Sequence, residues 1–62
     1  MAQAINVLVV IPAYNEEKQI GRVIRGLFEN GHTNIVVVDD GSTDETAPVA
    51  KAAGAVVLQH EV

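Results

Sequence analysis

The runs Ile5-Asn6-Val7-Leu8-Val9-Val10-Ile11 and Ile35-Val36-Val37-Val38 are nearly continuous and β-branched, with no regular alternation of apolar and polar residues. A strand with one wet face alternates. A continuous run fits a strand covered on both faces, as in a parallel sheet. Ala55 to Gln59 reads as a third strand. Pro12 is expected to end the first, because proline cannot donate to a ladder.

Helices fit between the runs. Ile20, Val23, Ile24, Leu27 and Phe28 form one stripe at helical spacing. Asn15 reads as its N-cap, with Glu16 and Glu17 in the first turn, where negative charge suits the dipole. Gly31 reads as its C′ stop, and Gly26 costs about 1 kcal/mol against alanine. Ser42-Thr43-Asp44-Glu45 matches a capping box for a second helix, with Val49, Ala52 and Ala53 as its inner face. Pro48 predicts a late or kinked start, with Asp44 as the alternative cap. Gly54 ends that helix. The order is β-α-β-α-β. Right-handed crossovers then give a parallel sheet with strand order 3-2-1 and both helices on one face. That is half of a doubly wound, Rossmann-like α/β fold, in which a further strand would pair with strand 1.

The chain has 62 residues, enough for one domain at most. A chain of this length buries only about 60% of the surface its unfolded form exposes. It has no cysteine, so neither a disulfide nor a thiolate metal site is available. The same lack suits a reducing compartment, and the cytoplasm is the expected location. Tyr14 and Phe28 are the only aromatic residues. A piece of something larger is therefore expected, with self-association into a homo-oligomer through the free edge of strand 1 or the uncovered sheet face. The net charge of −4 disfavours nucleic acid and anionic membrane as partners. No apolar run approaches the roughly 20 residues that span a bilayer, so no membrane insertion by this segment is expected. The N-terminus has no basic region and does not read as a signal peptide.

Ligands of open parallel sheets bind beyond the carboxyl ends of the strands, at the point where strand order reverses. That rule nominates two loops, Pro12-Ala13-Tyr14-Asn15-Glu16 and Asp39-Asp40-Gly41-Ser42. Neither carries a glycine-rich phosphate cradle. A carboxylate only accepts hydrogen bonds, so Asp40 or Asp39 suits a base that offers ring N–H groups, such as uracil or guanine. Tyr14 could pack a ring against it. His32 and His60 have no partner at ligand spacing, and no metal is assigned to this chain.

Val9-Val10-Ile11-Pro12-Ala13-Tyr14-Asn15-Glu16-Glu17, followed by Ile35-Val36-Val37-Val38-Asp39-Asp40-Gly41-Ser42-Thr43-Asp44, resembles the start of a family 2 glycosyltransferase of the GT-A fold. The subgroup it is most similar to contains dolichol-phosphate mannose synthase and related polyprenyl-phosphate glycosyltransferases. The resemblance covers almost the whole chain. It implies that residues 1–62 are the N-terminal, nucleotide-recognising part of an incomplete glycosyltransferase domain. The intact protein would move a sugar from a UDP- or GDP-sugar to an acceptor, with a polyprenyl phosphate as candidate. The resemblance places Pro12 and Tyr14 beside the base and ribose, Glu16 near the donor nucleoside, and Val38 and Asp40 against the base. Ala13, Asp39, Gly41 and Ser42 would support the loops.

The family's Asp-x-Asp motif, which holds Mg or Mn on the donor diphosphate, does not occur in this sequence. The divalent metal is expected of the intact protein, and the 62 residues alone are expected to be inactive. The rival reading is non-enzymatic: a small α/β scaffold that self-associates and leaves inherited motifs unused. A receiver-like signalling fragment fits less well, because its aspartate pair follows the first strand and this one follows the second.

Overall fold

A computed structural model describes residues 5–60; the expectation about a leader at the extreme N-terminus falls outside them. The elements are β1 (Ile5–Ala13), α1 (Ile20–Glu29), β2 (His32–Asp39), α2 (Thr46–Ala52) and β3 (Val56–Gln59). All strand pairs are parallel, and β2 lies between β1 and β3. This is the expected topology and strand order. β1 and β2 run in register from Leu8↔Asn34 to Ala13↔Asp39, and β2 and β3 from Val36↔Val56 to Asp39↔Gln59.

Side chains alternate across the sheet. Val9, Ile11 and Ala13 of β1, with Ile35 and Val37 of β2, face the helices and meet Ile20 and Ile24 of α1 and Ala50 of α2. Leu8, Val10, Val36, Val38, Val56 and Leu58 take the opposite face. That face is open to solvent, with Leu8 61% and Leu58 56% exposed. The two helices approach each other closely because residue 21 is glycine: a Cβ there would lie 3.3 Å from Val49 Cγ1.

Local details depart from the sequence reading. Pro12 does not end β1; it lies inside the strand, paired with Val38. β1 is an edge strand, where a missing N–H is tolerated. β2 begins at His32, three residues before its apolar run. Asn15 is not the N-cap of α1. It adopts φ 51°, outside the β region that an N-cap normally takes, and the N-cap position falls to Gln19. Glu16 O instead accepts bonds from Gln19 N and Ile20 N, forming a separate turn, and α1 starts after Gln19. Glu16 and Glu17 therefore precede the helix rather than fill its first turn. The capping box does not form either: α2 begins only at Thr46, and Ser42 Oγ accepts from Asn15 N instead. The start of α2 is late, as Pro48 predicts, with Glu45 at the N-cap position. The inner face of α2 is Thr46, Ala47 and Ala50, flanked by Val49 and Ala53, while Ala52 is exposed.

Two glycines give opposite expectations. A Cβ on Gly26 meets nothing within 4 Å, so Gly26→Ala should stabilise the chain by roughly 0.5–1 kcal/mol. Gly54 has φ +106°, and a Cβ there would lie 3.2 Å from Phe28 Cε2. Gly54→Ala should destabilise by about 1–2 kcal/mol. Urea denaturation midpoints of the two variants check both signs.

Candidate functional site

Parallel pairing brings the ends of all three strands to one edge, and backbone bonds continue the alignment past them. Asp40 N donates to Ala13 O at 2.9 Å, and His60 N donates to Asp39 O at 2.8 Å. Tyr14, just after β1, and Asp40, just after β2, thus leave the sheet side by side. Pro12 and Val38, the residues of that edge on the open face, are register partners.

The two loops beyond this edge are joined through side chains. Asn15 N donates to Ser42 Oγ at 2.8 Å, Glu16 N to Thr46 Oγ1 at 2.7 Å and Glu17 N to Asp44 Oδ2 at 3.2 Å. In the other direction, Thr43 N donates to Asn15 Oδ1 at 2.9 Å. Thr46 is fully buried, and its hydroxyl passes the contact on by donating to Asp44 Oδ1. Asp44 Oδ1 also accepts Thr46 N at 2.9 Å, doing at the start of α2 what Glu45 does not.

The two aspartates of the pair have different surroundings. Asp39 is 2% exposed, and its Oδ1 accepts Ser42 N at 3.1 Å, which folds the second loop back on the strand end. Asp40 is exposed, with Oδ1 3.1 Å from His60 Nδ1. Two side chains this open to water form a weak pair. Asp40 Oδ2 has no partner among the described residues. Tyr14 is 57% exposed, and the Glu16 side chain is also exposed while its backbone N–H is held. The edge therefore presents a free carboxylate acceptor and an aromatic ring on neighbouring, mutually braced loops.

Its electrostatics are acidic. Asp39, Asp40, Asp44, Glu16 and Glu17 gather there with Lys18 as the nearby cation of the first loop. Such an edge suits a neutral ring with N–H donors better than a bare diphosphate, which the carboxylates repel. Asp39 and Asp40 are adjacent and differently buried, and no group of three His, Cys, Asp or Glu side chains among the described residues could hold a metal ion. The residues present do not fit a divalent cation.

Sequence reasoning placed Pro12, Ala13, Tyr14, Glu16, Val38, Asp39, Asp40, Gly41 and Ser42 at this edge, and the fold brings them there. Thr43 and Thr46 are not expected there, and Asn15 and His60 take roles other than those the sequence suggests; Asp44 caps the start of α2, as its alternative reading has it, and in addition meets the first loop. Asp44-Glu45-Thr46 has the spacing of a local side-chain cap, and asparagine tolerates the left-handed region, so those two signals were present. The meeting of His60 with Asp40 spans 20 positions and has no local signature.

Burial acts to raise the Asp44 carboxyl pKa, but hydrogen bonds from Thr46 Oγ1 and from the backbone N–H groups of Thr46 and Glu17 outweigh it and hold the group below its ordinary 3.8. Between the two values the unfolded chain binds more protons than the folded one. The resulting stabilisation is complete above the ordinary value and is lost as pH falls through the depressed one. The melting temperature should therefore fall as pH is taken below about 4, and Asp44→Asn should flatten that fall. An acid limb of unchanged slope in the variant would assign it to other carboxylates.

The same arrangement recurs in known proteins. The sequence profile described as glycosyl transferase family 2 matches residues 8–61. An uncharacterised protein of Methanocaldococcus jannaschii is 52% identical over 54 residues, covering 87% of this chain and 22% of that protein. The UDP-N-acetylglucosamine–dolichyl-phosphate N-acetylglucosaminyltransferase of Methanococcus voltae is 47% identical over 45 residues, 73% of this chain and 18% of the enzyme. The crystal structure of Mycobacterium tuberculosis glucosyl-3-phosphoglycerate synthase with Mn2+, UDP-glucose and phosphoglyceric acid superposes with a TM-score of 0.70 at 42% identity. It covers 82% of this chain and 19% of that one. The chain thus spans about a fifth of the length of these relatives. With the profile covering nearly all of its residues, the chain belongs to glycosyl transferase family 2.

Proposed function

We propose that this segment holds the nucleoside of a sugar donor, a UDP-sugar in preference to a GDP-sugar, for a glycosyltransferase. The observation that carries the reading is the exposed Asp40 carboxylate, fixed beside the Tyr14 loop by the bond from Asp40 N to Ala13 O. Asp40 accepts the ring N–H of the base, Tyr14 and Pro12 flank the base and ribose, Val38 supports the base from the open face, and Glu16 reaches the nucleoside. Asp39 shapes the loop from beneath. The relatives support the donor side in particular. One is named for transfer to dolichyl phosphate, another is a glucosyl-3-phosphoglycerate synthase, and both are described with uridine-diphosphate sugars. The two descriptions differ in sugar and in acceptor and have uridine diphosphate in common, which supports a nucleoside role for the stretch they share with this chain. Divalent metal, present in the mycobacterial complex, is supplied outside the residues described here, as is acceptor recognition; a polyprenyl phosphate remains the candidate acceptor.

The isolated chain should bind UDP with millimolar affinity or weaker, about −4 kcal/mol, since base-side groups are present and diphosphate ligands are not. An NMR titration following the amides of Tyr14, Asp40 and Gly41 measures it; metal-dependent micromolar binding would overturn the division of labour. Asp40→Asn should weaken that binding by about 1–2 kcal/mol, and Asp39→Asn by much less. Equal effects would move the base-reading role away from Asp40.

The open sheet face favours a second reading for the chain on its own, that of a self-associating scaffold. Leu8, Val10, Val56 and Leu58 stand exposed around half-buried Val36 and Val38. Pairing two such faces, or two β1 edges, across a two-fold axis removes apolar surface at about 25 cal/mol per Å². Sedimentation at several concentrations should show association that Leu8→Lys with Leu58→Lys reduces. A concentration-independent monomer excludes the scaffold reading.

A further inference from the structure

Asn15 stands out because it combines an unfavourable backbone with a full set of partners. It is the one non-glycine residue at positive φ among the described residues. Asparagine enters that region more readily than most residues, though still at a cost. In return both its backbone and its side chain reach the second loop. Its N–H meets Ser42 Oγ, and its Oδ1 accepts Thr43 N, with Thr43 Oγ1 at 3.4 Å from the same oxygen.

The left-handed residue also turns the chain so that successive N–H groups point the same way. Those of Asn15, Glu16 and Glu17 are donated in turn to Ser42 Oγ, to Thr46 Oγ1 at the start of α2 and to Asp44 Oδ2. Successive N–H groups of this kind form an anion-binding concavity when they are free. Here side-chain oxygens already fill it, so the turn serves as a brace and not as a phosphate cradle.

Tyr14 and Glu16 are the immediate neighbours of Asn15, and Asp40 opens the loop to which Asn15 is tied. We propose that Asn15 is a positioning residue for the donor site: its left-handed turn and its bridge to Thr43 fix Tyr14 and Glu16 relative to Asp40. This rests on the donor-site reading above. It assigns Asn15 no contact with the nucleotide.

Three substitutions separate the two parts of the role. Asn15→Asp keeps the acceptor and the tolerance of positive φ. Asn15→Gly keeps the backbone freedom and loses the acceptor. Asn15→Ala loses both. For each, the 62-residue chain is titrated with UDP by NMR, amide exchange is read at Thr43 and Glu16, and the melting temperature is recorded. Asn15→Ala should weaken binding about fivefold, because fewer chains hold the two loops in the joined, binding-competent arrangement, and should expose the Thr43 amide to exchange. Asn15→Asp should restore both, and Asn15→Gly should lose Thr43 protection and affinity while melting close to the unsubstituted chain. Unchanged affinity in Asn15→Ala, or a Thr43 amide that stays protected in Asn15→Gly, would overturn the proposal. Failure of UDP, titrated up to its solubility limit, to move the Tyr14, Asp40 or Gly41 amides of the unsubstituted chain would overturn the donor-site reading and this role with it. Exchange at Thr43 tells the two failures apart, because it reports the bridge without any ligand.

Discussion

Parallel pairing of β2 with a strand on either side is the constraint from which the remaining geometry follows. It sends every strand end to one edge. The two connecting helices must then run back over the same face, which is why the core is one-sided and why the loops after β1 and β2 are neighbours. The pairing also explains why Asp39 is buried while Asp40 is not. Asp39 is still part of the central strand, with Ala13 on one side and Gln59 on the other, and Asp40 is the first residue beyond it.

The edge is held mainly by short polar side chains bonding to backbone. Ser42, Thr46 and Asp44 each accept an N–H from the first loop. A loop of this kind normally gives its N–H groups to water. Here they are satisfied within the protein, and the side chains that satisfy them are themselves anchored, Thr46 by complete burial and Asp44 by the start of α2. The residues left over, Tyr14, Glu16 and Asp40, are those with free polar or aromatic groups facing water.

Much of this was legible in the sequence, for identifiable reasons. The Val-rich runs mark strand positions because they are β-branched and apolar throughout, although only the helix-facing side is covered among the described residues. Apolar spacing from Ile20 to Phe28 gave α1, and chirality of the crossovers gave the strand order. The positions of the two loops followed from topology. The errors have one common cause. Local capping rules assign Asn15 and Ser42 to helix starts, and each meets the other loop instead; Asp44 does cap the start of α2 and takes a second partner 27 residues away as well. A one-dimensional pattern of capping residues does not reveal that two such loops meet and exchange partners. Pro12 illustrates a related limit: whether proline stops a strand depends on which side of the strand is paired, and that is settled by the sheet.

The contact between Gly21 and Val49 couples distant parts of the molecule. Thr46, which receives the Glu16 N–H, is the first residue of α2, and α2 rests on α1 one turn further along at Val49. The helix pair therefore acts as a spacer whose thickness is set at position 21. A larger side chain there would push α2 outward and carry its leading end, with the hydroxyl that braces the first loop, in the same direction. Variation among related sequences at that buried helix crossing would retune the width of the edge without altering any residue that lines it.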